Sequence, residues 1–241
     1  MPPLIFASAF AVSLTGAVIQ ALCGFGYGPV NMSLLPYLMP YAQAVALSGL
    51  CGSTTALMVA VSGWKHISWR KVWPCTLISI IISSTFVWLS ARAADRLMLH
   101  LLGSVLIVLG LYSLFLNGKI RIRPTLVNGL IAGAVSGVTS GLFAVGGPPL
   151  AIYLLGATDS NDEYRSTLNG HFCVNAIATT FMRWRSGVFT PPVLHAYLLL
   201  LAALFIGAWI GSRIFHKLNQ EKLRKVVYGY LVISGLLLFT K

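Results

Sequence analysis

Charged residues are scarce in this sequence. Only 9% of its 241 residues are Asp, Glu, Lys or Arg, whereas ordinary soluble domains contain about 25%. No polar stretch is longer than a short loop, which leaves no room for a separate soluble domain or a nucleic-acid-binding module. Apolar runs of about 20 residues recur along the chain instead. The composition therefore predicts an all-α integral membrane protein whose first partner is the lipid bilayer.

Motifs for enzymatic and ATP-driven chemistry are also absent. The sequence contains no HExxH and no GxxxxGK[ST]. Its four cysteines show no CxxC spacing and lie in or beside apolar segments, so we expect small buried residues rather than a disulfide or metal framework. They are Cys23, Cys51, Cys75 and Cys173. We therefore predict no enzyme activity, no metal site, no cofactor and no nucleic-acid partner.

Two apolar segments run directly into a glycine cluster followed by proline. These breaks are Gly24-Phe25-Gly26-Tyr27-Gly28-Pro29 and Gly146-Gly147-Pro148-Pro149. The short apolar pieces after them, 29–39 and 148–157, reach only about half of a ~30 Å bilayer core. We predict them to be broken or re-entrant helices. About eight transmembrane helices are expected in addition, at 4–22, 42–63, 72–91, 97–116, 125–143, 166–186, 192–212 and 223–240.

Small residues at every fourth position indicate an internal repeat. One strip comprises Gly129, Gly133, Gly137 and Gly141; shifted by 120 positions, Ala9, Ser13, Ala17 and Ala21 are small too. Such strips let helices approach closely in lipid, and a single strip is typical of generic packing. Because each is followed by a Gly-Pro break, we predict two homologous halves, 1–120 and 121–241, within one membrane domain.

The distribution of Lys and Arg depends on how the short pieces are threaded. If they do not cross, the 17 basic residues divide nine against eight; if they complete a crossing with the broken helix before them, the division is twelve against five. Only the second division satisfies the positive-inside rule, and it makes the repeats inverted. The shortness of the pieces favours the first, so parallel and inverted repeats both stay open.

Proline in the first turn of a helix sacrifices no hydrogen bond, so Pro29 and Pro148 are expected near the starts of the short helices. Each start would present free N–H groups and partial positive charge toward the middle of the membrane. Two such ends facing each other predict an anion site; the alternative is two kinked helices packed through glycine. The predicted substrate-binding residues are Gly26, Tyr27, Gly28, Pro29, Asn31, Gly146, Gly147, Pro148, Asn169, His171 and Asn175, with Gln20, Ser53, Ser140 and Arg165 as secondary candidates.

His171 is the ionisable group placed well inside an apolar span. Such residues are functional hypotheses by default, although a hydrogen-bonded packing role is equally consistent with the sequence. The five acids, Asp95, Asp159, Asp162, Glu163 and Glu221, lie in loops or at span ends, so no carboxylate relay is expected. Arg183 and Arg185, near the end of the same span as His171, are interpreted as interfacial anchors.

The glycine breaks and two-halved organisation resemble the TauE/SafE family of sulfite and organosulfonate exporters. The resemblance rests on Gly24 to Pro29 and on Ala144-Val145-Gly146-Gly147-Pro148-Pro149, and it covers nearly the whole chain. It implies export of small sulfur-containing anions across the bacterial inner (plasma) membrane. At position 27 the resemblance leads us to expect glycine; Tyr27 would narrow the cleft or add a hydroxyl donor.

The sequence therefore favours a secondary transporter for small anions. A gated anion channel or an uncoupled facilitator is the alternative, since either can be built from the same helix ends. A coupling ion (a proton or sodium) and a homodimer both stay open.

Overall fold

A computed structural model describes residues 3–90, 93–116, 122–217 and 220–239. The predicted boundary at residue 120 and the basic residues Arg92, Lys119 and Arg121 lie outside the described residues. In the described ranges the chain forms α-helices and short 3₁₀ turns, without strands. The helices are α1 (Pro3–Cys23), α2 (Tyr27–Met32), α3 (Leu35–Leu38), α4 (Tyr41–Ser62), α5 (Trp69–Ser90), α6 (Asp95–Leu116), α7 (Leu126–Phe143), α8 (Gly147–Ala157), α9 (Asn161–Arg185), α10 (Pro191–Ile214) and α11 (Gln220–Leu238).

Long apolar helices dominate this architecture. Five are long and apolar enough to cross a membrane by length and composition: α4, α5, α6, α7 and α10. Helices α1, α9 and α11 have 21, 25 and 19 residues, enough for a bilayer core of about 30 Å. The all-α membrane fold expected from the sequence is confirmed.

The first short apolar piece departs from its expected form. Instead of one helix over 29–39, the chain forms α2 and α3, separated at Ser33 and Leu34. Pro36 explains the interruption, because proline has no N–H to donate to the carbonyl of Met32 four residues earlier. The second short piece is one continuous helix, α8.

The burial pattern suits a lipid environment. Large apolar side chains on the outside are exposed, for example Ile177, Val226 and Phe115. Polar side chains are buried among the helices, where they can bond to one another. The largest of them are Gln20, Asn31, Asn169, His171, Asn175, Arg165 and Arg183.

The closest helix pairs join one half of the chain to the other. Helix α7 lies against α5, with Gly133 beside Cys75, Gly137 beside Ser79 and Gly141 beside Ser83. Helix α10 lies against α1, with Gly207 beside Leu14 and Gly211 beside Val18. Because the residue numbers rise together, both pairs are parallel. The predicted strip on α7 thus forms the seam with α5. On α1, Ala17 and Ala21 of the predicted strip contact α10, whereas Ser13 bonds to α2.

Two further pairs are antiparallel. Gly49 of α4 lies beside Arg183 of α9, and Gly63 lies beside Ser166. Gly103 of α6 lies beside Gly235 of α11, whereas Gly110 lies beside Tyr228. In each pair one residue number rises as the other falls. Helices α4 and α9, and likewise α6 and α11, therefore run in opposite directions.

The breaks turn α1–α2 and α7–α8 into helical hairpins. Tyr27 lies beside Gly16, and Asn31 bonds to Ser13, so α2 runs back along α1. Gly146 lies beside Ser140, and Gly156 beside Ile122, so α8 runs back along α7.

The two hairpins point in opposite directions. Helix α5 is parallel to α9 as well as to α7, because Thr76 bonds to His171 and Ser83 bonds to Asn175. Five residues, 186–190, connect α9 to α10, and even fully extended they span only about 18 Å. Helix α10 therefore reverses direction relative to α9, and α1, parallel to α10, is antiparallel to α7.

Candidate functional site

Each break places an unusual backbone conformation just before a short helix. Gly26, with φ of 128°, precedes α2, and Ala144, with φ of 57°, ends α7 before α8 begins. Proline falls within the first turn in both, with Pro29 third in α2 and Pro148 second in α8. The predicted placement of proline near the helix starts is confirmed.

The hairpin tips touch through glycine. A Cβ added to Gly28 would overlap the carbonyl oxygen of Ala144, and one added to Gly147 would lie 2.5 Å from Cβ of Phe25. Real Cβ atoms do not approach other heavy atoms so closely. Glycine is therefore required for the two tips to meet.

A cavity of about 70 Å³ lies where the tips meet. This is roughly twice the volume that one water molecule occupies in the liquid, about 30 Å³. The predicted residues that line it are Gln20, Gly26, Gly28, Pro29, Ser53, Ser140, Gly146, Gly147 and Asn175. Phe25, Ser48, Gly49, Gly52, Ala144, Val145, Phe172, Ala176, Thr179 and Arg183 complete the lining.

The other predicted residues lie behind this lining. The Tyr27 hydroxyl donates to Ser13 Oγ at 3.1 Å, and Ser13 in turn donates to Asn31 Oδ1 at 3.1 Å. Tyr27 therefore fastens α2 to α1 and does not narrow the cavity. Pro148 is buried in the first turn of α8.

Asn169 and Arg165 fasten the end of α1 to α9. Gln20 Nε2 donates to Asn169 Oδ1 at 3.0 Å, and Asn169 Nδ2 donates to the Gly24 carbonyl at 2.9 Å. Arg165 Nη1 donates to the Ala21 carbonyl at 2.9 Å, and its guanidinium stacks 4.1 Å from the Phe215 ring centre. These contacts close the region between α1 and the first turns of α9.

His171 lies between α5 and α9. Its Nδ1 is 2.9 Å from Thr76 Oγ1, its ring is fully buried, and it is not part of the cavity lining. This position favours the packing role that the sequence left open.

Replacing His171 with Ala is accordingly expected to leave the pH dependence of anion transport unchanged. The same change should lower the free energy of unfolding by about 1–3 kcal/mol, since it removes a buried ring and its hydrogen bond to Thr76. Transport at several pH values and thermal melting of the purified protein measure the two effects. A shifted pH profile would return His171 to a proton-carrying role.

Arg183 is the residue that the sequence interpretation missed. It is buried rather than interfacial: Nη2 donates to the Ser140 and Gly141 carbonyls at 3.0 and 3.2 Å, and the side chain lines the cavity. Interpreting Arg183 as an anchor was wrong. The carbonyl groups at the C-terminal end of α7 lie inside the protein, where they accept hydrogen bonds from the buried guanidinium. Arg183 follows Arg165 by 18 residues, or about five helical turns, so both lie on the same face of α9. This spacing was the signal in the sequence that could have identified it.

The cavity is electrostatically suited to an anion. Arg183 is its one formally charged residue, and no Asp or Glu is among the described residues that line it. The carbonyl end of α7 would repel an anion, but Arg183 and the Tyr41 hydroxyl donate to the carbonyls of residues 140, 141 and 142. The first turn of α8, by contrast, presents the positive end of a helix dipole at Gly146 and Gly147.

No group of three or more metal-ligating side chains occurs in the parts of the chain that the structure describes.

Comparison with known proteins decides the family. The family model described as sulfite exporter TauE/SafE matches residues 9–238. The chain belongs to the TauE/SafE family. The match includes both hairpin tips and all of the cavity lining, and it confirms the resemblance seen in the glycine breaks.

A curated TauE/SafE relative is named a probable sulfite/organosulfonate exporter. It comes from Cupriavidus necator and is 26% identical over 230 residues, which cover 91% of this chain and 88% of the relative. No solved structure matches the chain with significant similarity. The protein is therefore a multi-pass membrane protein of an exporter family.

Proposed function

We propose that this protein is a secondary transporter that exports small sulfur-containing oxyanions, such as sulfite or small sulfonates, through the cavity between its hairpin tips. The observation that carries the proposal is the convergence of both tips on one cavity that contains the buried Arg183 and, among the described residues, no lining acid. Membership of an exporter family supports the same substrate class.

The cavity supplies neutral donors beside its positive charge. Ser140 contributes a hydroxyl, and Asn175 Nδ2, which donates to Ser140 Oγ at 3.1 Å, carries a second N–H. The Ser53 hydroxyl also lines the cavity but donates to the Leu50 carbonyl at 2.8 Å. Once a helix end and a guanidinium offset the charge of an anion, such donors can bond to its remaining oxygens without adding a strong permanent charge. This combination favours binding that is specific yet reversible.

The opposed hairpins support an alternating-access mechanism. Helices α1, α4, α5 and α6 recur in order as α7, α9, α10 and α11, and each runs opposite to its counterpart. The seam between α1 and α10 likewise corresponds to that between α7 and α5. These correspondences support two inverted repeats, an arrangement that places a site at the repeat interface.

The cavity faces one side of the protein. A smaller cavity of about 20 Å³ shares Arg183 with it and reaches Ser186 and Val188 in the α9–α10 connection. The opposite side is closed by the bonds of Arg165, Gln20 and Asn169. We propose that this conformation is open toward the α9–α10 connection and closed toward the first turns of α9.

The basic residues set the proposed orientation. Lys65, Arg70 and Lys71 lie at the end of the bundle where α8 joins α9, whereas Arg96 and Arg185 lie at the other end. The positive-inside rule then places the α4–α5 connection in the cytoplasm and the α9–α10 connection outside. Alkaline phosphatase inserted after Gly187 should be active, and inserted after His66 inactive. The reverse pattern would contradict the orientation and reverse the proposed access side.

Proteoliposomes containing the purified protein provide the test of function. We expect saturable sulfite flux that is accelerated by sulfite on the opposite side of the membrane. A single site that alternates between the two sides reorients faster when it carries substrate than when it is empty. Runs with and without pH and sodium gradients identify the coupling ion. Empty liposomes and liposomes with the Gly229→Ala variant, altered in α11 away from the cavity, are the controls.

The same preparation separates a transporter from a channel. A channel would give single-channel currents in a planar bilayer and no acceleration by substrate on the opposite side. The hydrogen bonds of Asn169 to Gln20 and Gly24 favour the transporter, because they close one side of the cavity. Equal flux in protein-free liposomes would refute both.

A further inference from the structure

Ser48 carries a hydroxyl for which the cavity offers no protein partner. Its side chain is 1% exposed and lines the cavity, yet Oγ makes no hydrogen bond to any described residue. Other buried serines near the cavity are bonded: Ser136 donates to the Gly146 carbonyl, and Ser83 donates to Asn175. A buried polar group without a partner is rare and destabilising, so it requires an explanation.

Arg183 reaches the same stretch of α4. Its Nη1 lies 2.8 Å from where a Cβ on Gly49, the neighbour of Ser48, would be. Glycine at position 49 therefore makes room for the guanidinium, and Ser48 and Arg183 line the same cavity. While Nη2 holds the carbonyls of Ser140 and Gly141, Nη1 lies on the side of α4.

We infer that Ser48 and Arg183 form an oxyanion subsite that fixes the charged group of the substrate at the α4–α9 side of the cavity. One substrate oxygen would accept a hydrogen bond from the Ser48 hydroxyl, and a second substrate oxygen would accept one from the Arg183 guanidinium. The substituent on sulfur would then point toward the hairpin tips at Gly28 and Gly147. This inference rests on the proposed function and adds to it the residues that select an oxyanion over a spherical halide.

Ser48→Ala is the sharpest test, because it removes only the unpaired oxygen. We expect sulfite affinity to fall by roughly ten-fold, as for the loss of one hydrogen bond to a charged group. The melting temperature of the ligand-free protein should not fall, since no protein bond is lost. A purely structural serine would give the opposite pattern.

Ser166→Ala is the matched control. Ser166 is also buried on the α4–α9 interface with an unpaired Oγ, but it lies beside Gly63 and not in the cavity lining. The Ser166→Ala variant should bind sulfite like the wild type. Gly49→Ala is a second variant that displaces the guanidinium without removing its charge, and it should weaken sulfite binding as well.

Calorimetric titration with sulfite, methanesulfonate and bromide, together with thermal melting, measures these effects. A selective loss of the two oxyanions in Ser48→Ala and Gly49→Ala supports the subsite. Wild-type oxyanion affinity in Ser48→Ala would overturn the subsite while leaving the proposed function intact. If the wild type binds neither oxyanion, the proposed function fails and the subsite fails with it.

Discussion

Gly28→Ala is expected to reduce anion transport at least about ten-fold while the protein still inserts in the membrane. The added Cβ would overlap the carbonyl oxygen of Ala144. Because the opposing atom belongs to the backbone at the end of α7, it cannot be moved aside by a rotamer change. The tips of the two hairpins must separate, and displacements of about 1 Å at a binding site can cost about a hundredfold in rate.

Two glycines provide the comparison for this result. An added Cβ at Gly147 would lie 2.5 Å from Cβ of Phe25, an atom that a rotamer change cannot move, so Gly147→Ala should also reduce transport. The overlap is smaller than the one at Gly28, so the loss should be smaller than in Gly28→Ala. An added Cβ at Gly229 in α11 meets nothing within 4 Å, so Gly229→Ala should transport normally. Sulfite flux in proteoliposomes, normalised to the amount of inserted protein, ranks the three variants. Normal flux in Gly28→Ala would refute a functional role for the contact between the tips.

Gly133→Ala is expected to lower the free energy of unfolding by about 1–3 kcal/mol, the usual cost of overpacking. Its Cβ would overlap the Cys75 carbonyl oxygen and lie 2.8 Å from the Cys75 Cα. Helices α5 and α7 would have to move apart along the seam that also contains Gly137 and Gly141, where van der Waals contact holds helices together in lipid.

The same Gly229→Ala variant is the control for stability. Alanine favours a helix over glycine by about 0.8–1.0 kcal/mol, so this variant should melt at or above the wild-type temperature. Thermal melting in detergent, followed by circular dichroism, measures both. If Gly133→Ala melts like Gly229→Ala, the close seam between α5 and α7 does not contribute to stability.

The sequence was most informative where backbone geometry is local. Gly-Pro interrupts a helix and proline is favoured in the first turn of the next one, so both breaks and the helices after them could be predicted from residues 24–29 and 146–149. The strips of small residues likewise indicated the closest helix contacts, because small side chains at every fourth position let two helix backbones approach each other. The interruption between α2 and α3 was missed although Pro36 signals it, because the apolar run continues through it.

Side-chain partners were much harder to predict. Asn169, His171 and Asn175 look alike in the sequence, since each is a polar residue inside an apolar span. Only the packed structure shows that Asn175 reaches the cavity, whereas Asn169 bonds to Gln20 and His171 lies near Thr76. Arg183 was misinterpreted because an arginine near the end of a span resembles an interfacial anchor in the sequence. Its burial becomes evident only from its packing against the end of α7.

The exchange of helices between halves has a mechanical consequence. Hairpin α1–α2 is packed against α10, and hairpin α7–α8 against α5, so each hairpin is supported by a helix encoded in the other half. The first and second halves of the chain therefore cannot separate from each other as two rigid bodies. Any rigid bodies that move during transport must each combine segments from both halves.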